Sequence, residues 1–274
     1  ASILGLSNTE NFFCATLTYD KDKKLDSNPL QAMINEVDLA KITTEEYDIN
    51  HLISVFPAEQ SAIDEYAHKC LNVAGAVYED SYRMIPRMYI LEKIKKKGGK
   101  VVLNGDGGDE IFTGYNKHRD WLEPGKKPTV KDASNAIKKY NVAEWFPMEV
   151  FKGSDPLTAL MFIDVLTQCE TYLMRADAFC GSLGMESRSP FLYQDLVKYT
   201  FHIPLATKLQ FRDSSRKGIH KFLIRDVFAD VIPEEIRNRR NKLGWSLPYW
   251  RKDPKSASRR REKDMDILKR NTRK

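Results

Sequence analysis

Lys100-Val101-Val102-Leu103-Asn104-Gly105-Asp106-Gly107-Gly108-Asp109-Glu110 is the stretch on which the fold turns. A short apolar, β-branched run stops at a turn with three glycines in four positions, and Asp109-Glu110 then suits the first turn of a helix. Strand, glycine turn and helix are the rhythm of a parallel α/β sheet, whose ligands gather beyond the carboxyl ends of the strands. Glycines admit positive φ and let a ligand approach the main chain closely. Their amides, feeding a helix N-terminus, predict a cradle for anions. Three carboxylates share the turn, however, and would repel a bare phosphate. The expected occupant is a magnesium-bearing polyphosphate, or a group that needs a base and a hydrogen-bond acceptor. A capped helix start with no ligand accounts for the same composition equally well.

Upstream of this turn, Phe12 to Tyr19 is apolar and β-rich and predicts a buried strand, closed by a polar turn from Asp20 to Asn28. A short helix opens at Pro29 and runs through Ala40. A longer amphipathic helix fills Pro57 to Val77, and a third follows Pro86 and ends at Lys95-Lys96-Lys97-Gly98-Gly99. Lys100 to Asn104 then reads as a short buried strand. Downstream, Pro124-Gly125-Lys126-Lys127-Pro128 punctuates a linker. Helix follows nearly throughout, over Leu157–Cys180, Gln194–Thr200 and Ser214–Ala229, with a short turn after Pro233. The expected organisation is α/β over 1–123, helical over 124–250, and a basic, disordered tail over 251–274.

Composition narrows the classes. At 274 residues, 42% hydrophobic and 30% charged, the chain carries enough apolar side chains for a core, which excludes global disorder. No stretch approaches the roughly 18 uninterrupted apolar residues of a membrane helix, and the first residues lack the basic start and apolar run of a signal peptide. The net charge of +6 sits in the tail: Arg251–Lys274 holds eleven Lys/Arg against four Asp/Glu, leaving the other 250 residues at −1. A nucleic-acid grip shows its excess on the folded body, so none is expected here. Cys14, Cys70, Cys169 and Cys180 form no C-x-x-C pair and the five histidines form no H-E-x-x-H, which favours free thiols over a zinc site or a disulfide framework.

Two further segments carry chemistry. Arg175 and Asp177 lie in an apolar helical stretch just before Glu186-Ser187-Arg188-Ser189-Pro190-Phe191-Leu192, where charge must be paired or line a site. An internal ion pair with Glu186 or Arg188 competes with a functional reading. Arg240-Asn241-Lys242-Leu243-Gly244-Trp245 places a lysine beside glycine in a loop, which by itself is an ordinary surface lysine.

Taken together and in this order, the segments Asn104–Glu110, Glu186–Leu192 and Arg240–Trp245, with Lys221 and Arg225 on a further helix, resemble the synthetase domain of the asparagine synthetase family. The resemblance covers about Phe12 to Trp250. It implies a parallel sheet of the adenine nucleotide alpha hydrolase/ATP pyrophosphatase type with a largely helical C-terminal half. It also implies an ATP-dependent, Mg2+-assisted, amide-forming ligase that adenylates a carboxylate such as aspartate for attack by ammonia. By matching positions, Asp106 and Lys242 are the implied catalytic residues. Leu17, Asn104 and Gly105 would lie against the nucleotide, and Asp109 and Arg175 would face the substrate or pyrophosphate. The implied setting is cytoplasmic, with small-molecule partners and a glutaminase domain or subunit as a source of ammonia.

Three departures accompany the resemblance. The sequence shows no Ser-Gly-Gly-x-Asp-Ser pyrophosphate loop ahead of the first helix and no glutaminase domain, so the chain reads as a fragment expected neither to exchange pyrophosphate nor to hydrolyse glutamine. Asn104 stands where serine is usual, and Tyr193 where an acid is common. Two other readings remain open: a β-lactam- or lasso-peptide-cyclase-like amide ligase, and a degenerate, non-catalytic domain used for binding or assembly.

Overall fold

A computed structural model describes residues 12–19, 37–57, 59–75, 84–115, 118, 156–208 and 220–239. The expected turn over 20–28, the linker at 124–128, Lys242 and the tail over 251–274 lie outside the described residues. The chain divides into two compact units, one of residues 1–102, 175–186 and 241–274 and the other of residues 103–174 and 187–240.

In the first unit, β1 (Phe13–Tyr19) and β2 (Asn50–Phe56) run parallel, in register from Phe13 opposite Asn50 to Tyr19 opposite Phe56. Parallel neighbours need a crossover, and α1 (Val37–Glu46) lies in it. His51 fastens the three elements: Nε2 lies 2.8 Å from the Thr16 hydroxyl and Nδ1 3.3 Å from that of Thr44. Burial, reinforced by Lys41, lowers its pKa. The sequence reading assigns nothing to Asn50–Phe56. Its apolar residues occur on both faces, and Asn50, His51 and Ser54 break the run, so neither period stands out.

Helices α2 (Gln60–Ala74) and α3 (Met84–Lys96) close the layer over the strands. Gly75 ends α2 at φ 63°, its amide bonded to the Leu71 carbonyl, the left-handed stop that glycine allows. Helix α3 begins two residues before Pro86 rather than after it. A first-turn proline loses no hydrogen bond, because its amide would have no intrahelical acceptor there. Phe56, Tyr66 and Tyr89 meet edge to face with centroids 5.0–6.1 Å apart. Their polar tips are satisfied, Tyr89 donating to the Val55 carbonyl and Tyr66 to Glu92.

Strands β3 (Val101–Leu103) and β4 (Glu186–Arg188) form a second two-stranded ladder. The expectation of a buried β3 is corrected: Val101 is 46% and Leu103 58% exposed. The ladder is three residues long, and β4 is its one strand partner among the described residues.

The second unit is helical. It contains α4 (Gly108–Ile111), α5 (Pro156–Asp164), a π-helical segment Val165–Cys169 and the start of α6 (Glu170–Ser182). The 3₁₀ turn Pro190–Leu192, α7 (Gln194–His202), α8 (Leu205–Lys208), α9 (Phe222–Val227) and α10 (Glu234–Arg237) follow. The expected continuous helix over Leu157–Cys180 thus contains five residues of wider winding. Thr167 and Thr171 hydroxyls donate to the carbonyls four residues back, at Ile163 and Thr167. No described helix is long and apolar enough to cross a membrane.

None of the four cysteines is in a disulfide; Cys14 is half-buried and the others buried. Burial pushes the Cys70 thiol up to about 12, and it raises Cys169 too, where Glu110 adds to the effect. Native-state alkylation should therefore modify Cys14 first, with the other three reacting only on unfolding; peptide mapping of the adducts checks this.

Candidate active site

The glycine turn and the Glu186–Leu192 segment are welded together through Asn104. Its amide N–H donates to the Arg188 carbonyl at 3.0 Å, continuing the strand ladder one residue. Its side-chain NH2 donates to the Ser187 hydroxyl at 2.9 Å. Its Oδ1 accepts from the Ser189 hydroxyl at 2.8 Å and from the Asp106 amide at 3.0 Å. A serine could not span these partners, since one hydroxyl supplies a single donor on a shorter stem. That is the physical reading of asparagine at this position: its side chain serves the turn.

Packing adds to the weld. Gly107 sits at φ 91°, and a Cβ there would fall inside the Leu192 side chain. A Cβ on Gly108 would stand 3.1 Å from the Phe191 ring, which also meets Phe112 edge to face. The Pro-Phe-Leu turn thus forms the wall behind the glycines. The turn also consumes two of its own amides. The Asp106 amide is taken by Asn104 and the Gly108 amide by the Gly105 carbonyl at 3.2 Å. Helix α4, at four residues, brings little dipole.

The three carboxylates have different surroundings. Asp106 is half-buried at the turn. Asp109 pairs with the Lys221 ammonium at 3.2 Å, each side chain about a third exposed. The turn after α4 backs it: the Gly114 amide donates to the Asp109 carbonyl at 2.8 Å, and a Cβ on Gly114 would overlap the Asp109 carboxylate. Thr113, just before, is held at φ 55°, an outlier for a β-branched residue. Glu110 is 2% exposed and accepts from the Tyr115 hydroxyl. Burial pushes its carboxyl up, opposed by the Tyr115 bond and assisted by the charges of Asp109 and Asp164. Beneath it, Asp164 closes α5 and lies 2.8 Å from His118 Nε2, both side chains fully buried.

Glu110 fixes a sign for pH dependence. Its folded pKa is raised, so the native state holds its proton more tightly than the unfolded chain. Stability from this group is therefore greatest below about pH 4.3, the unfolded value, and declines as pH rises through the folded pKa. Glu110→Gln keeps an acceptor for Tyr115 without the charge. Urea unfolding should show the variant gaining on wild type as pH rises, and then levelling off.

The remaining expected site residues fall as follows. Leu17 is 7% exposed on β1 within the first unit's core, and Arg175 is 4% exposed on α6 in the same unit. Gly105 is exposed at the turn. Asp177 faces outward. Lys242 lies outside the described residues. Sequence reasoning missed Glu110, Tyr115, His118 and Asp164 as a buried set, because residues 46 apart carry no spacing signature. Lys221 had a signal in the family resemblance, which sets it with Arg225 on a further helix. Among the described residues, no group of three or more His, Cys, Asp or Glu is placed to hold a metal ion.

With the geometry in place, comparison supplies the lineage. The model of the family described as Asparagine synthase matches residues 27–269. The chain belongs to the asparagine synthase family. Among its relatives is asparagine synthetase [glutamine-hydrolyzing] 1 of Bacillus subtilis, 25% identical over 281 residues, covering 81% of this chain and 42% of the relative. Asparagine synthetase [glutamine-hydrolyzing] 2 of Oryza sativa subsp. japonica is 29% identical over 161 residues, 57% of this chain and 22% of the relative. The Gallus gallus enzyme is 28% identical over 153 residues, covering 54% and 21%. This asparagine synthase family chain spans less than half the length of these relatives.

Proposed function

We propose that this chain carries the synthetase chemistry of an ATP-dependent amide-forming ligase on an ATP pyrophosphatase-type fold. A substrate carboxylate attacks the α-phosphorus of ATP, supplied as its magnesium complex, and pyrophosphate leaves. Ammonia then attacks the acyl-adenylate, AMP leaves and an amide is formed. Aspartate is the carboxylate that the family membership favours. Asp106 is the acceptor for the proton shed by the attacking nitrogen. Lys242 neutralises charge on the phosphates and the developing oxyanion. Leu17 lies against adenine, Asn104 and Gly105 against the nucleotide through the main chain, and Asp109 and Arg175 toward the substrate or pyrophosphate. A glutaminase domain or subunit supplies the ammonia.

The observation that carries this reading is the Asn104 weld. It brings two motifs, 83 to 85 residues apart, into one rigid turn with Asp106 on it. Rigid placement of a base is what proton transfer in a transition state requires. The test is AMP formation by the full-length gene product with Mg·ATP, ammonium and a panel of carboxylates. AMP released one-for-one with amide, and only with a carboxylate present, supports the reading. ADP as the product, or no nucleotide turnover with any carboxylate, would overturn it.

A further inference from the structure

Helix α9 is six residues long, yet it is tied at both ends to functional segments. Lys221 precedes it at φ 53°, ψ 40°, a left-handed conformation that disfavours a lysine, and its ammonium lies 3.2 Å from Asp109 Oδ1. One turn later, Arg225 Nη1 donates to the carbonyls of Arg237 and Arg239, at 2.7 and 2.6 Å. Those carbonyls stand at the end of α10, where the last carbonyls of a helix lack intrahelical donors and favour a cation. Arg237 in turn donates to the Ala229 carbonyl at 3.1 Å, securing the loop between the two helices. Arg239 is three residues before Lys242 in sequence.

Why an arginine serves here follows from the acceptors. They are backbone oxygens, so no side-chain change at 237 or 239 removes them, and the two N–H groups of one Nη1, fixed in the guanidinium plane, reach both, whereas an ammonium's donors rotate. Arg225 is half-buried, which strengthens such bonds relative to open water.

We propose that Arg225 is a positioning residue: its two carbonyl hydrogen bonds fix the end of α10 to the short helix whose leading lysine holds Asp109. The importance of Asp109 rests on the function proposed above; the brace itself does not. Deuterium exchange on the 274-residue chain separates the two. Arg225→Gln should accelerate exchange of peptides covering 234–239 about tenfold or more, as expected for loss of a charge-assisted bond, while α3 stays at the wild-type rate. Arg225→Lys, which keeps charge and stem, should give a smaller rise over the same peptides. Unchanged exchange in both Arg225 variants would overturn the brace, as would a rise shared equally by α3.

In the full-length gene product, Arg225→Ala should lower kcat for AMP formation with little change in KM for the carboxylate, and added guanidinium ion should restore part of the rate. An active enzyme indifferent to the substitution, or one that guanidinium fails to rescue, would overturn the positioning role. A wild type that forms no AMP would count against the function alone, with the exchange result still deciding the brace.

Discussion

Asparagine in place of Asp106 should cut amide formation by the full-length gene product about 10²- to 10⁴-fold, the range for removal of a general base. The substitution is isosteric, and Asp106 meets the weld through its amide, which accepts the change without loss. The unfolding midpoint, measured alongside, separates a chemical loss from a folding one. Adenylation does not need this proton acceptor, so carboxylate-dependent exchange of labelled pyrophosphate into ATP should survive while amide disappears. Measuring exchange and amide side by side gives the prediction its edge. Equal loss of both would move Asp106 from the second step to nucleotide binding. Amide formation within twofold of wild type would remove it from the chemistry.

Alanine at Gly107 should destabilise the second unit by about 2–4 kcal/mol, combining the left-handed cost of a Cβ with overpacking against Leu192. Gly107 sits at φ 91°, and the added carbon would lie within the Leu192 side chain, so the turn or the Pro-Phe-Leu wall must move. Gly105→Ala is the matched contrast, two residues away. A Cβ there meets nothing within 4 Å. It should unfold like wild type in urea, and yet weaken ATP binding if the nucleotide approaches the main chain at that point. Two alanines in one turn, one lost in stability and the other in binding, would separate the structural glycine from the functional one. Equal unfolding midpoints for both would contradict the packing described here.

How much of this was legible in the sequence depends on the range of the forces involved. The glycine turn, α2 and α3 follow from local terms, periodicity and a terminal run of lysines, although α2 stops at Gly75, short of the expected Val77. Strand β2 was not legible, because its pairing with β1 comes from 37 residues away and its own pattern is mixed. The proximity of Asn104–Glu110 to Glu186–Leu192 was signalled by family resemblance and not by spacing. The reason for asparagine at 104 became visible only with Ser187 and Ser189 around it. Composition also cannot tell which amides a turn will consume internally, here those of Asp106 and Gly108. The sequence likewise could not reveal that Asp109 is partnered by Lys221 from 112 residues further on.

The π-helical winding of Val165–Cys169 has an evolutionary consequence. Five residues at this wider winding turn through about the angle that four α-helical residues do, so the segment holds one extra residue while the side chains that follow keep their places. Lineages descended from this sequence can lose one residue here without re-aiming the rest of the helix, and gaps in their alignments should gather in this interval.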